Sequence, residues 1–358
     1  MNDKRITIAT VIGARPQFIK AAVVSRALRE LHPDKREVII HTGQHYDANM
    51  SDVFFDELDI PKPGYHLGIG GGTHGQNTGR MLEGIEQVLL NERPDWVLVY
   101  GDTDSTLAGA LAATKLHIPV AHVEAGLRSY NRRMPEEINR VLTDHVASLL
   151  LTPTATATRN LHSEGIPFER VVEVGDVMYD AALFYKDKAK KPAGVTDDSP
   201  FVLATIHRAE NTDDTSRLRA IVQALNEIAQ ETCVVLPLHP RTRSRATAMG
   251  LDLGSITVLD PVGYLEMLWL LQNCEVVVTD SGGLQKEAYF FGKPCVITRD
   301  QTEWVELVES GWNVLVGAAN PSDIIQRTSD FIPPVTSPTI FGDGHAGERV
   351  ASLLVSGT

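Results

Sequence analysis

A chain of 358 residues is long enough for two domains of ordinary size. Its 43% hydrophobic and 22% charged residues are typical of a globular protein and exclude a disordered one. The formal net charge of −13 excludes a general nucleic-acid binder, because phosphate backbones require a basic surface.

The first apolar run, at residues 6–12, is too short for a signal sequence and ends in a glycine turn, so we interpret it as a buried strand. No stretch approaches the roughly 20 apolar residues of a membrane span, and we expect a cytoplasmic protein without membrane contacts. Cys233, Cys274 and Cys295 lack metal-ligand spacing and lie in or beside apolar segments, so we expect reduced core thiols.

Short apolar runs alternate with helical stretches along the whole chain. The first half contains six such runs, at residues 6–12, 38–41, 96–100, 119–123, 149–151 and 171–174. The second half contains six more, at residues 201–205, 233–238, 255–259, 276–279, 295–298 and 314–316. This alternation predicts an α/β fold of two Rossmann-like domains, each with a parallel sheet covered by helices on both faces.

The domain boundary is expected between residues 176 and 200, because residues 186–200 hold a charged run and then Pro, Gly, Asp and Ser. We therefore predict an N-terminal domain at residues 1–178 and a C-terminal domain at 179–344. A last short helix is predicted at residues 346–354. Its pattern alone does not decide which domain it packs against.

The residues that directly follow the strands are the candidates for a binding site, because ligands of open parallel sheets lie beyond the carboxyl ends of the strands. Seven strand ends carry polar, cationic or glycine-containing turns, at residues 13–16, 42–45, 101–104, 124–126, 207–211, 239–241 and 280–283. If the two domains face each other, these turns converge on one cleft.

Two cations follow the first strand. Arg15 and Lys20 lie in the first turns of the next helix, where they suit a diphosphate group, although a solvated pair would look the same in sequence. The turn contains no Gly-x-Gly-x-x-Gly pattern, and the chain has no Gly-Lys-Ser/Thr loop. A standard NAD site and an NTPase site are therefore not predicted.

Three carboxylates in the first half are candidates for acid–base chemistry. Asp102 follows the strand at residues 96–100, although either Asp102 or Asp104 can cap the next helix. Glu124 ends a buried strand, where a charge without a function is uncommon. Glu136 lies in the motif Pro-Glu-Glu-Ile-Asn-Arg, which the requirements of a helix start also explain.

In the second half, His207 and Arg208 follow the first strand and supply a titratable group beside a fixed cation. His239, in His-Pro-Arg, is a weaker example of the same pattern. No group of His, Cys and Asp has metal-ligand spacing, so we predict no metal and no cofactor.

The turn Asp-Ser-Gly-Gly at residues 280–283 opens a helix. Ser281, Gly282 and Gly283 can present backbone N–H groups to a phosphate at the positive end of the helix dipole. Alternatively, Ser281 is only an N-cap and the glycines only permit a tight turn. Glu287, one turn further on, can accept hydrogen bonds from ribose hydroxyls.

Taken together, these turns resemble the non-hydrolysing UDP-N-acetylglucosamine 2-epimerase family, whose two-domain fold is shared with GT-B glycosyltransferases. The resemblance covers nearly the whole chain. Its motifs are Gly-Ala-Arg-Pro at 13–16, Thr-Gly-Gln-His at 42–45, Gly-Asp-Thr at 101–103, His-Val-Glu-Ala-Gly-Leu-Arg at 122–128, Pro-Glu-Glu-Ile-Asn-Arg at 135–140, His-Arg at 207–208 and Asp-Ser-Gly-Gly at 280–283.

The resemblance implies a UDP-sugar as the binding partner, held mainly by the second domain. Ser281 and Gly282 would take the phosphates, Glu287 the ribose, and Arg15 and His239 would add contacts nearby. We place six further residues in the substrate site: Lys20, Gln44, His45, Arg140, Arg208 and Gly283. The resemblance also implies a homodimer, and a final segment at 345–358 that packs on the first domain.

The reaction that the resemblance implies is inversion at C2 of the sugar, by elimination of UDP to a glycal and re-addition. One group removes a proton, another delivers one, and the leaving diphosphate needs electrostatic stabilisation. The implied catalytic residues are Asp102, Glu124, Glu136 and His207. We expect the three carboxylates to divide the acid and base work, and His207 with Arg208 to stabilise the diphosphate.

The substrate stays open at this point. Residues 302–306 read Thr-Glu-Trp-Val-Glu, with Trp304 where the family usually has an arginine near the ligand. Together with Gly-Gly-Gly-Thr-His-Gly-Gln-Asn-Thr at 70–78, this resembles relatives that act on UDP-2,3-diacetamido-2,3-dideoxy-glucuronate. We expect interconversion of UDP-GlcNAc and UDP-ManNAc. The alternatives are epimerisation of the diacetamido-glucuronate, a GT-B glycosyltransferase, a hydrolysing epimerase and a UDP-sugar-binding regulator.

Overall fold

A computed structural model of the chain describes residues 6–43, 58–196 and 199–356. The chain folds into two compact units. Unit 1 comprises Met1–Ala181 and Thr339–Thr358, and unit 2 comprises Ala182–Pro338.

Unit 1 contains a seven-stranded sheet. Its strands are β1 (Thr7–Ile12), β2 (Arg36–His41), β3 (Tyr65–His66), β4 (Trp96–Tyr100), β5 (Val120–Val123), β6 (Leu149–Thr152) and β7 (Val171–Glu173). They pair in the order β3-β2-β1-β4-β5-β6-β7, and every pair is parallel. The α-helices described between β1 and β8 are α1 (Arg15–Leu31), α2 (His74–Glu92), α3 (Asp104–Lys115), α4 (Pro135–Val146), α5 (Ala155–Ser163) and α6 (Val177–Tyr185).

Unit 2 contains a six-stranded sheet in the order β10-β9-β8-β11-β12-β13, again with parallel pairs throughout. Its strands are β8 (Phe201–Thr205), β9 (Cys233–Pro237), β10 (Thr257–Leu259), β11 (Val276–Thr279), β12 (Cys295–Ile297) and β13 (Asn313–Leu315). Its described helices are α7 (Ala209–Thr212), α8 (Thr215–Ile228), α9 (Pro240–Ala248), α10 (Tyr264–Asn273), α11 (Gly282–Phe290), α12 (Val305–Glu309) and α13 (Pro321–Asp330).

The predicted α/β fold with two parallel sheets is confirmed, and each of the twelve predicted strands is present. Strand β3 was missed. It has only two residues, Tyr65 and His66, and follows a stretch that contains Pro61, Pro63 and Gly64. Strand β3 lies at the edge of the sheet and pairs only with β2, so its side chains need not be apolar and its sequence lacks the hydrophobic run of a central strand.

Helix α3 lies unusually close to the sheet of unit 1. It is rich in alanine, and a Cβ added to Gly109 would lie 3.2 Å from methyl groups of Val11 and Val99. Small residues on this helix let its backbone approach β1 and β4 directly. The N-terminus of α3 is thereby fixed at the carboxyl end of β4.

The last helix, α14 (Ala346–Ser356), packs against α1 in unit 1. Gly347 meets Val23 so closely that no Cβ fits, and its N–H donates to Asp180 at 2.8 Å. Arg349 donates to the carbonyl of Val174 at 3.1 Å. The chain therefore returns to unit 1 after completing unit 2.

The three thiols are free, but they differ in exposure. Cys274 and Cys295 are buried, and burial raises the pKa of the Cys274 thiol to about 12. Cys233, at the first position of β9, is exposed, so the prediction of a core thiol is wrong for this residue.

None of the helices in the described part of the chain is long and apolar enough to cross a bilayer.

Candidate active site

Strands β4 and β5 are neighbours, and each is followed by a residue with positive φ. Gly101 has φ 63°, and a Cβ there would lie 3.1 Å from Lys20 Nζ and 3.3 Å from a Glu124 carboxylate oxygen. Glu124 itself adopts φ 69°, a left-handed conformation that is strained for a residue other than glycine. Such strain is concentrated at functional sites, where the surrounding contacts hold it in place.

Lys20 from α1 and Glu124 form a buried ion pair, with side chains 10% and 8% exposed. The neighbouring ammonium group favours the ionised carboxylate. We expected Lys20 to contact substrate, and the structure pairs it with Glu124.

Arg140 fixes the carboxylate of Asp102 by hydrogen bonds. Its Nε donates to Asp102 at 3.1 Å, a second guanidinium nitrogen also bonds Asp102, and Nη1 donates to Glu137 at 2.9 Å. The side chain of Asp102 remains 29% exposed, whereas that of Arg140 is 4% exposed. The side chain for which we expected a substrate contact is thus buried between two carboxylates, and Asp102 is fixed while still accessible.

The adjacent glutamates at the start of α4 have different environments. Glu137 is buried and accepts hydrogen bonds from Ser129 N, Ser129 Oγ and Tyr130 N, each at 2.9 Å. Glu136 is half-buried. Glu137 therefore organises the loop before α4, and Glu136 is the accessible member of the pair.

The residue that caps α3 is Thr103, whose side chain accepts from Thr106 N at 3.3 Å. The expectation that Asp102 or Asp104 caps this helix is wrong. Asp104 is instead its first residue, and its carboxylate bonds His74 Nδ1 at 2.9 Å and Asn139 Nδ2 at 3.1 Å.

Gln17 organises the turn between β1 and α1 and was not among the residues predicted from the sequence. Its side-chain oxygen accepts from Gly13 N at 2.8 Å and Ala14 N at 3.0 Å, and its amide donates to Tyr100 O at 2.9 Å. A glutamine at the third helical position is a known capping pattern, so the sequence did contain the information. Arg15, the first residue of α1, is half-buried.

Asp280, directly after β11, accepts hydrogen bonds from the turn that follows β8 in unit 2. It is fully buried and accepts from His207 N, Arg208 N and Asn211 Nδ2 at 3.1 Å. Its carboxylate also bonds His207 Nδ1 at 2.6 Å. The His207 side chain is 53% exposed, so Asp280 orients an accessible imidazole.

The environment of Asp280 predicts a pH dependence of stability. Burial favours its neutral form, but the hydrogen bond and charge of His207 and the backbone donor of Arg208 outweigh burial and lower the pKa below 3.8. The contribution of this group is complete above pH 3.8 and is lost as pH falls through the lower native pKa. We expect Asp280→Asn to flatten the loss of stability as pH falls below about 3.8 in denaturant titrations. An unchanged slope would contradict this assignment.

The turn after β11 opens α11 as the sequence suggested. Ser281 is the N-cap, and its Oγ accepts from Leu284 N at 3.4 Å. Gly282 lies so close to a Glu303 carboxylate oxygen that no Cβ fits, whereas Gly283 is exposed. Glu287 is buried in the same helix. The cap and the anion-binding turn are compatible, because a cap uses only one of several N–H groups at a helix start.

A buried charge cluster lies beside this turn. Glu303 bonds Arg299 Nη1 at 3.0 Å and lies 3.8 Å from an Arg208 nitrogen. Trp304 is 2% exposed, and Lys286 Nζ lies 4.6 Å from the centre of one of its rings. Trp304 is therefore a core side chain that packs on a buried cation.

His239 is exposed and caps α9, with Nδ1 accepting from Arg241 N at 3.3 Å. Gln44 and His45 lie outside the described residues. Within the described ranges, no group of three or more His, Cys, Asp or Glu side chains is arranged to hold a metal ion.

Comparison with known proteins identifies the class. The family model described as UDP-N-acetylglucosamine 2-epimerase matches residues 29–355, which is most of the chain. The chain belongs to this family of carbohydrate isomerases. The resemblance inferred from the strand-end motifs is therefore confirmed, as is the GT-B-like fold.

Two relatives and one crystal structure are similar to this chain over their full length. The UDP-2,3-diacetamido-2,3-dideoxy-D-glucuronate 2-epimerase of Pseudomonas aeruginosa is 60% identical, over 97% of this chain and 99% of the relative. The UDP-N-acetylglucosamine 2-epimerase of Methanocaldococcus jannaschii is 45% identical, over 98% and 99%. A crystal structure of the M. jannaschii UDP-GlcNAc 2-epimerase with UDP-GlcNAc and UDP has a TM-score of 0.89 at 44% identity, covering 99% of this chain and 100% of that one.

Proposed function

We propose that this chain is a non-hydrolysing UDP-sugar 2-epimerase. The observation that carries the proposal is the acidic group in unit 1. Asp102, Glu124 and Glu136 lie on segments joined by hydrogen bonds, from Asn139 to Asp102 O and from His122 to Gly101 O, and two of the three carboxylates have a fixed cationic partner. Acid and base catalysis requires carboxylates whose positions and charges are set in advance.

In the proposed reaction, a base removes the C2 proton while the bond from C1 to the UDP oxygen breaks, giving a glycal and free UDP. UDP then attacks C1 again, and a proton is delivered to C2 from the opposite face. Asp102, Glu124 and Glu136 divide the proton transfers. Arg140 keeps Asp102 oriented, and Lys20 keeps Glu124 charged before catalysis.

UDP is proposed to bind unit 2. The N–H groups at the start of α11, in Ser281, Gly282 and Gly283, suit a phosphate at the positive end of the helix. His207, oriented by Asp280, and Arg208 stabilise the leaving diphosphate. Five other residues complete the proposed ligand contacts: Arg15, Gln44, His45, His239 and Glu287.

Two sugars are candidates for the substrate. The 60% identity to the P. aeruginosa enzyme supports UDP-2,3-diacetamido-2,3-dideoxy-glucuronate, and the archaeal enzyme supports UDP-GlcNAc. Trp304, from which we inferred a changed substrate, is buried on Lys286.

The test is proton NMR in D₂O with the purified protein and each UDP-sugar in turn. Deuterium at C2 of both epimers supports the proposal, and the faster substrate identifies the physiological sugar. Transfer that appears only with an added acceptor would indicate a glycosyltransferase, and release of the free sugar would indicate a hydrolysing epimerase.

The family resemblance also supports a cytoplasmic homodimer. Light scattering coupled to size exclusion tests this, because a dimer has twice the 39.2 kDa mass of the chain. A single species at the chain mass would rule out the dimer.

A further inference from the structure

His122 is a fully buried histidine within strand β5. Its Nδ1 lies 2.7 Å from an Asp144 carboxylate oxygen, and its Nε2 lies 2.7 Å from the carbonyl oxygen of Gly101. A carbonyl oxygen can only accept a hydrogen bond, and so can an ionised carboxylate. Both ring nitrogens then have to donate, which only the doubly protonated ring can do.

The state of Asp144 follows from its other contacts. Its second oxygen accepts from Arg128 Nη1 at 2.7 Å and from Gly126 N at 3.1 Å. Burial favours the neutral acid, but the hydrogen bonds and charges of His122 and Arg128 outweigh it and hold the pKa of Asp144 below its ordinary value. Arg128 also pairs with Glu164 at 2.7 Å.

The contacts of His122 reach all three segments that carry the proposed catalytic carboxylates. Gly101 directly precedes Asp102, and His122 itself lies two positions before Glu124. Asp144 lies on α4, about two turns beyond Glu136. One imidazole ring therefore connects the end of β4, the end of β5 and helix α4.

We propose that His122, donating from both ring nitrogens, positions Asp102, Glu124 and Glu136 relative to one another together with Asp144. His122 and Asp144 are positioning residues, and their role rests on the proposed epimerase function. The left-handed backbone of Glu124 gives the reason for such a device, because a strained residue keeps its place only where its surroundings fix it. Asp144 supplies part of that restraint through Gly126 N.

A merely structural histidine would affect folding but not the rate of the folded enzyme. A positioning histidine affects the rate, since a misplacement of about 1 Å at catalytic groups can cost about 10²-fold. The two roles therefore differ in kcat measured on folded variants.

The first test is neutron diffraction from crystals of the unaltered protein at neutral pH. We expect deuterium on both ring nitrogens of His122. A ring with only one deuterium would overturn the proposal, and this result does not depend on whether any variant folds.

The second test compares His122→Gln and Asp144→Asn with His345→Gln as the control. His345 is an exposed histidine that also pairs with a carboxylate, Glu348, at 3.3 Å. We expect about a 100-fold loss of kcat in the first two variants, with KM within about threefold and UDP affinity unchanged. The control is expected to keep wild-type kinetics.

Wild-type kcat in a folded His122→Gln or Asp144→Asn variant would overturn the positioning role. If one variant fails to fold, as judged by circular dichroism, the other decides, and if neither folds the neutron result decides. The proposed function fails separately, because it would show as a wild-type protein that turns over neither UDP-sugar.

Discussion

Replacing Asp102 with Asn or Glu124 with Gln is expected to lower kcat by about 10²- to 10⁴-fold, the usual contribution of a general acid or base. Both substitutions keep the shape of the side chain and remove its capacity to ionise. Because the diphosphate is proposed to bind unit 2, we expect UDP affinity in titration calorimetry to change little.

The matched control is Glu169→Gln, which removes an exposed carboxylate of the same unit. It is expected to retain wild-type kcat. A rate close to wild type in either active-site variant would remove that residue from the proposed chemistry, and a large loss of UDP affinity would show that the carboxylate serves binding instead.

Arg128→Met is expected to lower the free energy of unfolding by about 3–5 kcal/mol, the usual cost of removing one partner of a buried ion pair. The Arg128 side chain is 1% exposed and Asp144 is fully buried, so water cannot replace the lost guanidinium at Asp144. Chemical denaturation followed by tryptophan fluorescence measures the change.

The control for this prediction is Arg159→Met, at an exposed position of α5 where the guanidinium bonds a local threonine, Thr156, at 2.8 Å. We expect a change within about 0.5 kcal/mol there, as for most surface substitutions. A loss below about 1 kcal/mol for Arg128→Met would mean that the buried network contributes little to stability.

The sheets were predictable because strand burial depends on local sequence. Runs such as residues 96–100 are apolar throughout and can only be buried on both faces of a parallel sheet. The strand Tyr65–His66 was not predicted, because an edge strand of two residues buries too few apolar side chains to give a recognisable hydrophobic pattern.

The candidate carboxylates were also visible in the sequence, because each follows a strand or opens a helix. Their partners were not. Lys20 with Glu124 and Arg140 with Asp102 are pairs between distant parts of the chain, and no spacing in the sequence encodes such a pair. The sequence shows His122 as the polar residue of an apolar strand. Its proposed positioning role depends on the contact with Asp144 in the next helix, which the sequence does not show.

Burial likewise changed the interpretation of Trp304. In sequence it appeared as a substitution near the ligand, and in the structure it packs on Lys286 within unit 2. The burial of Trp304 and its contact with Lys286 depend on three-dimensional placement and could not be predicted from the motif.

The return of α14 to unit 1 affects the order in which the protein can fold during synthesis. Unit 2 is one continuous segment of the chain, whereas unit 1 consists of two segments, one before and one after unit 2. The face of α1 around Val23 stays uncovered until α14 has been made, although β1 and α1 emerge first. Unit 1, which carries the acidic residues, is thus completed only after unit 2 has been synthesised.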